Sequence, residues 1–99
     1  MAINELRSIS IFVSAAELGS LRKAAAAQGI TPQAASQALA QLERQLDVRL
    51  FHRTTRVMSL TDEGRQFLEE SRPALRGLQR AMDRAARARE DITGPLRIV

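Results

Sequence analysis

A mainly α-helical fold is what the 99-residue sequence predicts, and three observations carry that reading. Apolar residues recur at helical spacing over four stretches of the chain. Ser, Thr, Asn and Gly stand at the ends of those stretches, where helix caps belong. One segment, LFHRTTRVMSLTDEG at 50–64, breaks the helical period and reads as a short basic hairpin.

The first helix is predicted from Asn4 to Leu18, with Asn4 as N-cap and Glu5 in the first turn. Leu6, Ile9, Val13 and Ala16 define its apolar stripe, Phe12 widens it, and Gly19 ends it. Ser20 caps a short second helix, LRKAAAAQ, which Gly29 ends. Gly29, Ile30 and Thr31 make a tight turn. Thr31-Pro32 then reads as N-cap followed by proline at the first helical position, where the missing N–H is no loss. The third helix runs to about Asp47, with Ala35, Ala38, Leu39, Leu42 and Leu46 on one face. Gln33, Ser36, Gln37, Ala40 and Arg44 occupy the other face.

Leu50–Arg53 and Val57–Leu60 are predicted as two short strands joined by a turn at Thr54, Thr55 and Arg56. Thr61 caps a long helix to about Asp91, with Asp62 and Glu63 favourably placed against its dipole. Along it, Leu68, Leu75 and Met82 are spaced by seven, as are Ser71, Leu78 and Ala85. The result is a nearly heptad seam. Pro73, inside the helix, removes a backbone donor and is predicted to bend it. A helix this long outruns a small core, so its far half is predicted to bury the seam against a second copy of the chain. Gly94-Pro95 ends it, and Leu96–Val99 reads as a strand cut short. The organisation is therefore residues 1–60, a helix over 61–91, and the start of a further domain at 92–99.

Composition narrows the function classes. The three aromatic residues are all Phe, which predicts an aliphatic core of Leu, Ile, Val and Ala. Fourteen Arg against one Lys, with a net charge of +4, suit phosphate and guanine edges but equally suit a solvated surface. Without Cys there is no disulfide framework, thiolate nucleophile or thiolate metal site. No apolar run approaches the roughly 20 residues that span a bilayer, and MAINELRS lacks the apolar centre of a signal peptide. A cytoplasmic protein without membrane contact is the expectation.

Helix, short helix, tight turn, helix and basic hairpin, in that order, match a winged helix-turn-helix. Two helices joined by a short turn hold the second proud of the surface, where it fits a major groove. Its inner face must be apolar and its outer face short and polar, as residues 31–44 are. The chain also resembles the N-terminal part of a LysR-type transcriptional regulator. The resemblance lies in SLRKAAAAQGITPQAASQALAQLERQLDVRLFHRTTRVMSLTDEG, notably AASQAL, LERQL…RLF and R-x-x-R-x-x-x-LT-x-x-G. It implies a homodimer through the long helix, tetramers in the full-length protein, and promoter DNA of inverted-repeat character. It also implies a C-terminal domain that senses a small molecule, with no cofactor in the present chain.

Carried over to this sequence, the resemblance puts base readout on Pro32, Gln33, Ser36 and Gln37. Glutamine suits adenine N6/N7, each bidentate pair contributing about 1–3 kcal/mol of discrimination. Ala34 is small enough to touch a thymine methyl. Thr31 and the first amides of its helix are placed for phosphate, and Ser20, Arg22, Lys23 and Arg44 for further backbone contacts. The hairpin is the wing, with Arg53, Thr54 and Arg56 on the backbone or in the flanking minor groove. The alternative for Arg53 is an ion pair with a core acid such as Glu43. Dimer contacts fall on Leu68, Leu75, Leu78, Met82 and Ala85.

Three departures from the family pattern stand out. Gln28 replaces a usual Leu, predicting looser packing of the second helix. Gln37 replaces a frequent basic residue, shifting the reading toward adenine or water-mediated contact. Asp47 replaces a usual Gly, predicting a different turn into the wing.

Other readings fit less well. A protein–protein adaptor calls for bulky apolar anchors on the outer face of the third helix, where Gln, Ser, Gln and Arg stand instead. An enzyme calls for a glycine-rich phosphate loop, metal spacing or a nucleophile–base–acid set, and none is visible. His52, the single histidine, has no such partners. Arg72, Arg76, Arg80, Arg84 and Arg87 read as a solvated stripe on the long helix.

Overall fold

The computed structural model describes residues 3–52 and 58–93. Four helices follow in order: α1 (Ile3–Leu18), α2 (Leu21–Gln28), α3 (Pro32–Leu46) and α4 (Asp62–Thr93). The fold is mainly α, a three-helix helix-turn-helix unit followed by a long helix. α1 is the central element, packed against α2, α3 and α4.

Ser20, Gly29 and Thr31 act as caps, as the sequence predicts, whereas α1 already begins at Ile3, so Asn4 lies within the helix and is not its N-cap. Ser20 and Thr31 are extended N-caps whose side-chain oxygens accept the N–H of Lys23 and Ala34. Gly29 ends α2 at φ 71°, in the left-handed region that glycine enters without cost. Its N–H, with that of Ile30, returns to the last carbonyls of α2. This fixes the turn between α2 and α3. Asp47 takes the same left-handed conformation at φ 57° and donates its N–H to the Glu43 carbonyl. The aspartate thus makes the turn that a glycine would make there, at a steric cost.

The core differs from the sequence reading in three respects. α1 buries Ser8, Ile11, Phe12, Val13 and Ala15, whereas Ile9 and Ala16 are only partly covered. A helix wrapped by three others is buried on more than one stripe, so the 6-9-13-16 line captured only part of it. The core is also organised by its phenylalanines. Phe12 lies 5.4 Å from the ring centres of both Phe51 and Phe67, tying α1 to the segment after α3 and to α4. Finally, Leu46 is exposed, because α3 ends there and Leu50 takes the core position beyond it.

Between α3 and α4 the two predicted strands reduce, among the described residues, to one antiparallel bridge between Phe51 and Leu60. The His52 N–H donates to Ser59 and the Thr61 N–H to Leu50. The N–H groups of Leu50 and Phe51 are directed to the Glu43 carboxylate, which shortens any ladder. The predicted turn residues Thr54, Thr55 and Arg56, with Arg53 and Val57, lie outside the described residues.

Thr61 caps α4 by accepting the Gly64 N–H at 2.9 Å and donates its hydroxyl to the Arg49 carbonyl. The helix is continuous through Pro73. Its first half is held to the domain by Leu68 in the core and by Arg72, whose Nε lies 2.8 Å from the Glu17 carboxylate of α1. Arg76 approaches the same carboxylate at 3.7 Å. Arg72 and Arg76 are therefore not simply a solvated stripe; they anchor the base of α4. The molecule measures 62 × 24 × 21 Å, so α4 projects well beyond the three-helix unit.

Candidate nucleic-acid interface

The outer face of α3 is open. Pro32, Gln33, Ala34, Ser36 and Gln37 are all exposed, and Thr31 is exposed at the helix start. Ala35, Leu39 and Leu42 on the inner face are buried, and Ala38 is half-buried. The helix is thus pinned by an apolar seam and presents two amides and a hydroxyl outward. None of these three side chains has a hydrogen-bond partner among the described residues. Thr31 Oγ1 accepts the Ala34 N–H, the Ala35 N–H returns to the Thr31 carbonyl and Pro32 has no N–H, so the Gln33 N–H is the one first-turn donor left at the positive end of the dipole.

Exposed cations stand at the start of α2 and at the end of α3. Arg22 and Lys23 are exposed at the start of α2, beside the half-buried cap Ser20. Arg44 and Arg49 are exposed and line one shallow concavity with Ala40 and Asp47. Among the described residues none of these four cations forms an ion pair. Arg49 was not singled out in the sequence; its signal is its place between the third helix and the hairpin. The wing residues Arg53, Thr54 and Arg56 fall outside the described residues.

Glu43 fixes how Leu50 and Phe51 meet α3. It is buried, and its Oε2 accepts the Leu50 N–H at 2.8 Å and the Phe51 N–H at 3.4 Å. A carboxylate immediately after the core residue Leu42 was the available signal for such a role.

Gln28 overturns an expectation. Its Nε2 donates to Ser10 Oγ at 3.0 Å and lies 3.4 Å from Ser14 Oγ. A leucine there would pack by area alone, whereas this glutamine clasps α2 to α1 through partly buried hydroxyls. Two serines four apart on α1 were the unread signal.

The predicted dimer residues divide. Leu68 is 8% exposed and belongs to the monomer's own core, and Leu75 packs partly against that core. Leu68 is therefore already covered within the single chain. Leu78 and Met82 are 49% and 67% exposed, and Ala85 is exposed.

Among the described residues no cluster of three His, Asp or Glu side chains could hold a metal ion, and no helix is long and apolar enough to cross a membrane.

An amphipathic helix set on a tight turn, with a polar outer face open to solvent, defines a helix-turn-helix DNA-binding domain. Residues 6–65 match the bacterial regulatory helix-turn-helix protein family, lysR. The chain belongs to that family: a LysR-type DNA-binding domain followed by a long helix, from transcriptional regulators rather than enzymes. It is 44% identical over 78 residues, 79% of its length, to the uncharacterised regulator y4mQ of Sinorhizobium fredii, and covers 26% of that protein. Other curated relatives are likewise longer, the chain spanning 28% of one and 49% of another. Among solved structures it resembles the BenM DNA-binding domain in complex with catB site 1 DNA, with TM-score 0.77 and 27% identity. That match covers 86% of this chain and 91% of the other. The CbnR DNA-binding domain in complex with DNA matches with TM-score 0.71 and 32% identity, covering 83% and 94% of the respective chains.

Proposed function

We propose that this chain is the sequence-reading end of a transcription regulator and that residues 31–47 enter the major groove of an inverted-repeat operator. Gln33 and Gln37 read base edges, with adenine N6/N7 the best fit to their amides, and Ser36 reaches a base edge or a phosphate. Pro32 and Ala34 keep the leading edge of the helix narrow, and Ala34 meets a thymine methyl. Thr31 and the first amides of α3 hold a phosphate. Ser20, Arg22, Lys23 and Arg44 hold the backbone on either side. The wing, residues 50–60, lays Arg53, Thr54 and Arg56 along the backbone or into the flanking minor groove. Two chains pair through α4 by Leu75, Leu78, Met82 and Ala85, which presents two reading helices to the two half-sites. In the longer protein, dimers pair into tetramers, a C-terminal domain senses a small molecule, and the site of action is the cytoplasm.

The observation that carries this reading is the outward, unpartnered exposure of Gln33, Ser36 and Gln37 on a helix whose opposite face is locked into the core. Selection of bound sequences from a random duplex pool tests it. The expected product is a two-fold symmetric consensus with half-sites in successive major grooves on one side of the duplex. A pool that emerges unenriched would remove the reading.

A further inference from the structure

We propose that Arg7 is a phosphate contact that carries the reading surface from α3 onto α1, with Gln41 as a second donor to the same strand. The inference rests on the DNA-reading role proposed for α3. Arg7 is exposed and is the single cationic residue of α1. It lines a concavity whose other wall is Ala34, Gln37 and Gln41 of α3 and whose floor includes the buried Ile11. Ala34, Gln37 and Gln41 succeed one another at helical spacing along one edge of α3, and Gln37 also belongs to the outer face. The concavity therefore opens directly off the face assigned to base reading.

Arg7 has no acid partner among the described residues, so nothing in the described domain compensates its charge. A helix lying in a major groove about 12 Å wide is flanked by phosphates of both strands. The start of α2 carries two further exposed cations, Arg22 and Lys23. On the side that α1 covers, Arg7 is the cation presented. Its planar fork suits a phosphate, and Gln41 adds a neutral donor one turn beyond Gln37.

The test is a titration of the chain with a selected duplex and a scrambled one over a range of salt. Arg7→Ala is expected to weaken binding to both duplexes alike and to reduce the slope of log K against log[salt] by about 1. Arg7→Lys restores the slope. Gln41→Ala weakens binding several-fold with the slope unchanged. Arg84→Ala, an exposed cation on α4, leaves both quantities unchanged. Thermal melts of the four variants coincide with wild type. An unaltered slope in Arg7→Ala, with wild-type sequence preference intact, overturns the inference alone. An equal loss in Arg84→Ala also overturns it, since bulk charge then explains the effect. A wild-type chain that binds both duplexes equally overturns the reading of α3 instead.

Discussion

The carboxylate of Glu43 accepts the backbone N–H of Leu50 at 2.8 Å, and it does so in the interior of the domain. The last turns of α3 and the segment that follows it thereby share one fixed point. Loss of that point leaves two N–H groups unsatisfied in a dry site. Glu43→Ala is expected to lower stability by about 1–3 kcal/mol, as for a buried group stripped of its charged partner. Glu43→Gln keeps one accepting oxygen and should lose clearly less. Urea midpoints of the two variants and wild type check the order.

Gly64 meets Leu50 from the other side. A Cβ built on Gly64 would stand 2.1 Å from the Leu50 carbonyl oxygen, a backbone atom already engaged by the Thr61 N–H. Neither partner can move without undoing the α4 cap. Gly64→Ala is therefore expected to cost more than the 1–3 kcal/mol typical of an overpacked core, or to abolish folding. Gly77, on the same helix with nothing within 4 Å, provides the control. Gly77→Ala should stabilise by about 0.5–1 kcal/mol through helix propensity alone. Circular dichroism melts of the pair separate steric exclusion from propensity.

Asp47 holds φ at 57°, in the left-handed region that glycine enters freely and that aspartate, like asparagine, enters at a modest cost. Asp47→Gly should relieve that cost and raise stability by about 0.5–1 kcal/mol, less the added chain entropy of glycine. Because Asp47 already adopts the glycine-like turn, the position of the wing should not change. Unchanged DNA affinity alongside a raised midpoint is the expected pairing of results.

Local signals explain what could be read in the sequence and what could not. Ser20, Gly29, Thr31 and Pro32 encode their own geometry, so the turn that raises α3 was legible from four residues. The amphipathy of α3 was equally local, and it placed Gln33, Ser36 and Gln37 outside. What escaped depends on neighbours distant in the chain. Gln28 reads as a poor leucine until Ser10 and Ser14, 18 and 14 residues away, are brought against it. Ile11 and Ala15 reach the core because three helices enclose α1. Phe12, Phe51 and Phe67 are far apart in sequence yet meet at one centre. Arg72 reads as solvated until Glu17 of α1 is placed 2.8 Å away. Gln28→Ala accordingly should cost about 1 kcal/mol, the net value of an intramolecular hydrogen bond. Ser10→Ala in the Gln28→Ala background should cost less than in wild type, which a double-mutant cycle measures.

The apolar positions of α4 make opposite predictions although the sequence presents them as one seam. Leu68 is 8% exposed and belongs to the domain's core, whereas Met82 is 67% exposed on the projecting half of the helix. Leu68→Ala removes a buried side chain and should destabilise the single chain by about 2–5 kcal/mol. Met82→Asp removes nothing from that core, so the folded unit should melt as before. It does place a charge at the seam proposed to pair with a second copy, where two like charges and their desolvation oppose association. Sedimentation velocity should give a dimer for wild type and a monomer for Met82→Asp, with unaltered helicity. Binding to a full inverted repeat should then fall toward that of a single half-site, because the second reading helix is no longer tethered to the first.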